Sequence, residues 1–124
     1  MEVKEQIEKH KAQSLHYLEN AFRFIKAGDA EKASEFLWGS VAQAMKAVAL
    51  NKGIQLKSHE DLRRYAIGLA RELQDESLRN TFYRAQSLHS NFYETGLLME
   101  DVVMSAEDVR ATVAKLLSLI PKEG

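Results

Sequence analysis

The stretch Ala30–Asn51, A-E-K-A-S-E-F-L-W-G-S-V-A-Q-A-M-K-A-V-A-L-N, decides the fold of this 124-residue chain. Ala33, Phe36, Leu37, Ser40, Val41, Ala44, Met45, Ala47 and Val48 recur at offsets of three and four. On a helix of 3.6 residues per turn that spacing gathers them on one broad face. Small residues are frequent here, and Gly39 and Ser40 directly after Trp38 let another helix approach closely. An interior glycine costs about 1 kcal/mol relative to alanine, so Gly39 implies a neighbour that needs the space. Asn51-Lys52-Gly53 ends the helix.

Working outward, residues 3–27 carry Ile7, Leu18, Phe22 and Ile25, with Ser14, Leu15 and Ala21 filling the same stripe. Gly28 suits the position after a helix end, and Asp29 suits the N-cap of the next. So short a turn predicts an antiparallel hairpin of the first two helices. On the other side, Ser58-His59-Glu60-Asp61 has the outline of a capping box, and the stripe Leu62, Tyr65, Ala66, Leu69, Ala70, Leu73 follows it. Gln74-Asp75 marks a brief break, with Asp75 capping a fourth helix that buries Leu78, Phe82, Ala85 and Leu88 and continues through Phe92, with Gly96 as its interruption. Residues 98–104 read as helix end plus loop. Ser105, with Asp108 three residues on, is expected to cap the last helix, whose stripe is Val109, Val113, Leu116, Leu117 and Ile120 before Pro121. The expectation is one all-α domain over residues 1–124, an antiparallel up-and-down bundle of four to five helices.

Composition narrows the chemistry. Without cysteine there is no disulfide, thiolate zinc site or cysteine nucleophile. A formal net charge of −1 argues against broad attraction to duplex DNA or anionic membrane. No apolar run approaches a membrane span and the N-terminus is charged, so a cytoplasmic, membrane-free protein is expected. His10, His16 and His59 have no partners at metal-ligand spacing, and no glycine-rich phosphate loop is present, so neither metal nor cofactor is expected. Trp38, Phe36 and Tyr65 suit either a base-stacking groove or, more simply, the core. Arg63, Arg64 and Arg71 read as a solvated face.

The densest chemistry lies in R-A-Q-S-L-H-S-N-F-Y-E, Arg84 to Glu94. An arginine can brace a phosphate whose charge grows in a transition state, and a histidine can exchange a proton with a ribose hydroxyl near neutral pH. Together they suit metal-independent RNA cleavage. On a straight helix, however, His89 is turned about 140° from Arg84 and displaced by about 7.5 Å. The pair converges on one ligand only if the helix bends or a second copy completes the site across a two-fold axis. A-Q-S-L-H also occurs at residues 12–16, but the flanking residues diverge at once, which favours coincidence over duplication.

R-x-x-x-x-H on the penultimate long helix, with L-H-S-N-F-Y-E around the histidine and a second helix rich in small residues, resembles the HEPN family, in particular its small single-domain prokaryotic and archaeal members. The resemblance covers nearly the whole chain in helix order, while the signature rests on few positions. It implies a homodimeric helical bundle. It also implies a ribonuclease site in which Arg84 and His89 of both protomers meet in an interface cleft, or else a non-catalytic nucleotide-binding or partner-binding module working with a separate nucleotidyltransferase. Asn91, Tyr93 and Glu94 are candidates to support His89. The chain departs from the family pattern at Ala85, where active members often carry a polar residue. It departs again at Asn91, where the toxin subgroup carries tyrosine. A tetratricopeptide-like interaction hairpin is a third reading, but no repeat near 34 residues accompanies it.

Overall fold

The computed structural model describes residues 2–90 and 99–121. Within them the chain forms α1 (Val3–Lys26), α2 (Ala30–Asn51), α3 (His59–Leu73), α4 (Glu76–Ser90) and α5 (Met99–Ser118), with no strand. The helix α2 is the axis of the bundle: α1, α3, α4 and α5 all pack against it. Leu37, Val41, Ala44, Met45, Ala47 and Val48 are buried there. A helix apolar over so wide an arc can only be stable when neighbours surround it. No described helix is long and apolar enough to cross a membrane.

The seam between α1 and α2 is closed by small residues and by one buried polar pair. Ser14 Oγ donates to the Ser40 carbonyl and Ser40 Oγ donates to the Ser14 carbonyl, each at 2.8 Å. Two buried hydroxyls thereby satisfy one another's backbone instead of water, which removes the desolvation cost of leaving them alone. Ser14 thus holds a core position expected of an apolar side chain, while its neighbour Leu15 is 52 % exposed and lies off the stripe to which it was assigned. The two are successive residues, turned about 100° apart.

Gly39 has a specific neighbour. A Cβ built there would lie 2.9 Å from Cδ2 of Tyr17, so the glycine makes room for that ring, which also packs on Phe36 at 5.5 Å. Two effects then oppose one another in Gly39→Ala: a gain of about 1 kcal/mol in helix propensity and the displacement of Tyr17. We expect denaturant titration to show a net change within about 1 kcal/mol in the wild-type background. The same substitution in Tyr17→Ala should stabilise by the full propensity term, about 1 kcal/mol. Equal gains in both backgrounds would remove Tyr17 as the reason for the glycine.

Turns form where short-range chemistry demands them. Gly28 and Gly53 both adopt φ +78°, which costs a glycine nothing. Asp29 accepts from the Lys32 amide at 3.0 Å, and Ser58 and Asp61 complete a reciprocal capping box. The Asp61 carboxylate is held below its usual range by the Lys57 amide, which donates to it at 2.9 Å, and then by Ser58.

Between α3 and α4, Gln74 takes the left-handed conformation at φ 53° and Asp75 caps α4 through the Leu78 amide. Asp75 also pairs with Lys115 of α5, so one carboxylate joins the start of α4 to the far part of the helix that follows it. Lys115, followed by the Ser77 hydroxyl, lowers the Asp75 pKa to about 2. Asp75→Ala should cost about 1–3 kcal/mol at neutral pH, the cap and the ion pair together. Asp75→Asn keeps an acceptor for the amide and should recover the cap's share. A folded pKa below the unfolded value of about 3.9 makes this stabilisation complete above about pH 5 and lost as pH falls toward 2. Thermal melts of wild type and Asp75→Asn should therefore converge in that acid range.

The last helix begins earlier than expected. Ser105 is not its cap: α5 starts at Met99, with Glu100 and Asp101 in the first turn, and Ser105 lies within it, 2 % exposed. Acids in a first turn favour the N-terminal end of the helix dipole. Val102, Ala106, Val109, Val113 and Leu116 form one unbroken buried stripe. Beginning the helix at Ser105 separated Val102 from the stripe to which it belongs.

Candidate functional site

Arg84 and His89 are both exposed on α4, but they face different neighbours. Arg84 turns toward α5 and forms an ion pair with Asp108, in which the two side chains remain 47 % and 50 % exposed. The guanidinium also borders a shallow depression of about 290 Å³ with Leu88, Asp101, Met104 and Ser105. At its edge the Ser105 hydroxyl is buried and has no hydrogen-bond partner among the described residues. A buried hydroxyl left unmatched costs about 1–3 kcal/mol. Met104 is 68 % exposed, which leaves apolar surface beside the arginine.

His89 lies toward α2. Its imidazole stacks on the indole of Trp38, with ring centroids 6.2 Å apart and planes 19° from parallel. Trp38 is itself held edge-on by the fully buried Phe82 at 5.3 Å, and His59 of α3 meets the same indole edge-on at 5.6 Å. One tryptophan therefore orients two imidazoles from two helices. Trp38 is 6 % exposed and belongs to the core, so it provides no open base-stacking groove. His59, which the sequence presents as a plain first-turn polar residue, has a tertiary partner after all.

Asn91, Tyr93 and Glu94, the residues expected to support His89, lie outside the described residues. Among the described residues, the ring that His89 rests on is Trp38. Nothing local in the sequence points to it, because the contact spans two helices. The A-Q-S-L-H repeat holds no common environment. In the first copy Ser14 is buried and His16 accepts from Asn20 at 3.3 Å. In the second copy Ala85 is buried and His89 sits on Trp38. Among the arginines of α3, Arg64 pairs with Glu60 at 3.0 Å, and Arg63 and Arg71 are exposed, in keeping with a solvated face. No group of three or more His, Asp or Glu side chains that could hold a metal occurs among the described residues.

The fold has a solved counterpart. A crystal structure of a protein from Sulfolobus solfataricus superposes with a TM-score of 0.76 over 88 % of this chain and 97 % of that one, at 22 % sequence identity. At that identity the likeness extends to the fold alone. Among curated proteins no sequence matches this chain. A family model does match residues 9–113, from the first helix to near the end of the last, and the chain belongs to the archaeal PaREP1/PaREP8 family.

Proposed function

We propose that this protein is a HEPN-type module that acts on RNA as a homodimer, with Arg84 and His89 carrying the chemistry. The observation that supports this reading best is that both side chains are exposed on one helix, flanking it on two sides. On a single chain they point apart, so a second copy, related by a two-fold axis, is required to set an arginine beside a histidine. The exposed Met104 next to Arg84 is suitable surface for that contact.

In such a cleft His89 takes the proton from a ribose 2′-hydroxyl or returns one to the leaving oxygen. Arg84 stabilises the charge that develops on the phosphate between them. The Asp108 carboxylate occupies the guanidinium in the free protein, but an exposed ion pair contributes only about 0–1 kcal/mol. A phosphate diester can displace it.

That same ion pair favours a second reading, in which Arg84 is neutralised and the module binds nucleotides or a nucleotidyltransferase without cleaving RNA. One experiment separates the two. Single-stranded RNA is incubated with purified protein and chelator, and wild type is compared with His89→Ala while the molar mass is followed by light scattering. The nuclease reading expects a dimer, cleavage by wild type and none by the variant. Equal cleavage by both removes His89 from the chemistry, and no cleavage by either leaves the binding module.

A further inference from the structure

A second concave surface lies away from α4 and α5, between α1, α2 and the loop that follows α2. Its larger part encloses about 490 Å³, within the range of about 300–1,000 Å³ usual for small-molecule sites. From α1 it receives Gln6, Lys9, His10, Gln13 and Tyr17, which recur at helical spacing on one flank. Gln43 of α2 faces them, and Gln55 of the loop closes the end. A smaller extension shares Gln6, His10 and Gln55 and adds Lys46 with the apolar Leu50, Ile54 and Leu56.

The chemistry of this lining is one-sided. The chain holds 18 acidic and 17 basic residues, yet no carboxylate lines either part of the groove. Lys9 and Lys46 have no ion-pair partner among the described residues. Four glutamine amides converge where a solvated helix flank would carry glutamates as often. One of them is already organised: His10 Nδ1 lies 2.6 Å from Gln43 Oε1. An amide oxygen only accepts, so Nδ1 donates, and the Gln43 amide nitrogen is left to serve another acceptor. Tyr17 is seated in the space that Gly39 leaves open, which places its ring at the opposite end from Gln55.

We infer that this groove binds a phosphorylated nucleoside, with the glutamine amides on the base edge and Lys9 and Lys46 on the phosphate. An amide presents a donor and an acceptor side by side, the pattern that base edges present in return. The apolar Ile54 and Leu56, beside Gln55, suit the face of a base. A lysine is a point charge suited to phosphate, and no carboxylate lining the groove competes for it. A bare anion would have no use for four amides, and an acidic peptide no use for base-like donor and acceptor pairs. The nucleoside can arrive as a free mononucleotide or as one residue of a single-stranded RNA. None of the groove residues belongs to the Arg84 and His89 region, so this site stands whether or not that region cleaves RNA.

The test is a titration of the full chain, in chelator, with AMP and UMP by calorimetry and with a fluorescein-labelled single-stranded 2′-O-methyl RNA octamer, which lacks the hydroxyl that cleavage needs, by anisotropy. The variants are Lys9→Ala/Lys46→Ala, Gln43→Leu, Arg63→Ala as a control outside both sites and His89→Ala as a reporter of the α4 region, each checked for wild-type helicity by circular dichroism. The groove predicts binding of at least one probe, weakened about tenfold or more by the double lysine variant and by Gln43→Leu, and unchanged in Arg63→Ala, a charge on the solvated face of α3. For the octamer, the dependence of log affinity on log salt should also flatten by about 1.4, the share of two phosphate contacts on a single strand. Mononucleotide binding identifies a free nucleotide as ligand, whereas binding of the octamer alone identifies RNA. No binding of either probe at millimolar concentration overturns the inference. So does competition by inorganic phosphate as effective as that by AMP, since the amides would then read no base. Octamer binding that survives the groove variants but is lost with His89→Ala would also overturn it, and would leave the α4 reading intact.

Discussion

Trp38→Ala is expected to lower the unfolding free energy by about 3–5 kcal/mol, the range for deleting a buried tryptophan side chain. Domains of this size are stable by only about 5–15 kcal/mol, so the variant should lose on the order of 10–20 °C in Tm. The size follows from what the indole touches. It is 6 % exposed, lies edge-on to the fully buried Phe82, and carries His59 and His89 on rings within about 6 Å. Removing it opens a cavity where α2, α3 and α4 meet, and it withdraws the surface on which His89 rests. Trp38→Phe keeps a ring against Phe82 and should cost less than half as much. Differential scanning calorimetry of both variants decides the matter. A Trp38→Ala protein within about 1 kcal/mol of wild type would show that this junction does not hold the three helices together.

On the proposed reading, His89→Ala lowers the rate of RNA cleavage by about 10²–10⁴-fold, the usual contribution of a positioned general acid or base. The substitution is informative because the fold does not depend on it. His89 is exposed, and an aromatic pair contributes only about 0.5–1.5 kcal/mol beyond burial, so the variant should remain folded at assay temperature. Asp108→Asn provides the converse test. It frees Arg84 from its ion pair and removes a negative charge that a phosphate must approach. RNA affinity should rise, while stability changes by no more than about 1 kcal/mol. A rate in His89→Ala equal to wild type, or an affinity in Asp108→Asn below it, would count against a phosphate held by Arg84.

The tetratricopeptide-like reading of the first hairpin is at odds with the position of α2. In a solenoid each hairpin contacts only its neighbours in the stack, whereas here the second helix packs against all four other described helices. The buried faces of α2 account for this, since they extend from Ala33 and Leu37 on one side to Trp38, Ala42 and Ala49 on others. Periodicity along the chain showed the main stripe but not its full width. The same limitation produced the late start given to the last helix. Ser105 followed by Asp108 satisfies a cap pattern, yet the hydroxyl is buried in a continuous stripe that begins at Val102. A cap motif specifies a helix start only where the chain before it lacks a face to bury.

The all-α class and most boundaries of the described helices were determined by the sequence alone. The decisive signals are local: an acceptor side chain at Asp29, Ser58 or Asp75 within reach of an amide three residues on, glycine at the positive-φ positions 28 and 53, and apolar residues repeating with the helical period. The divergence of Arg84 and His89 was legible for the same reason, since helical geometry sets the angle between two positions on one rod. Only the tertiary structure decided that Trp38 carries His89, that Asp108 holds Arg84, and that a carboxylate-free groove opens between α1 and α2. Those contacts join residues on different helices. Their geometry depends on how whole faces pack against one another, and no spacing along a single helix contains that information.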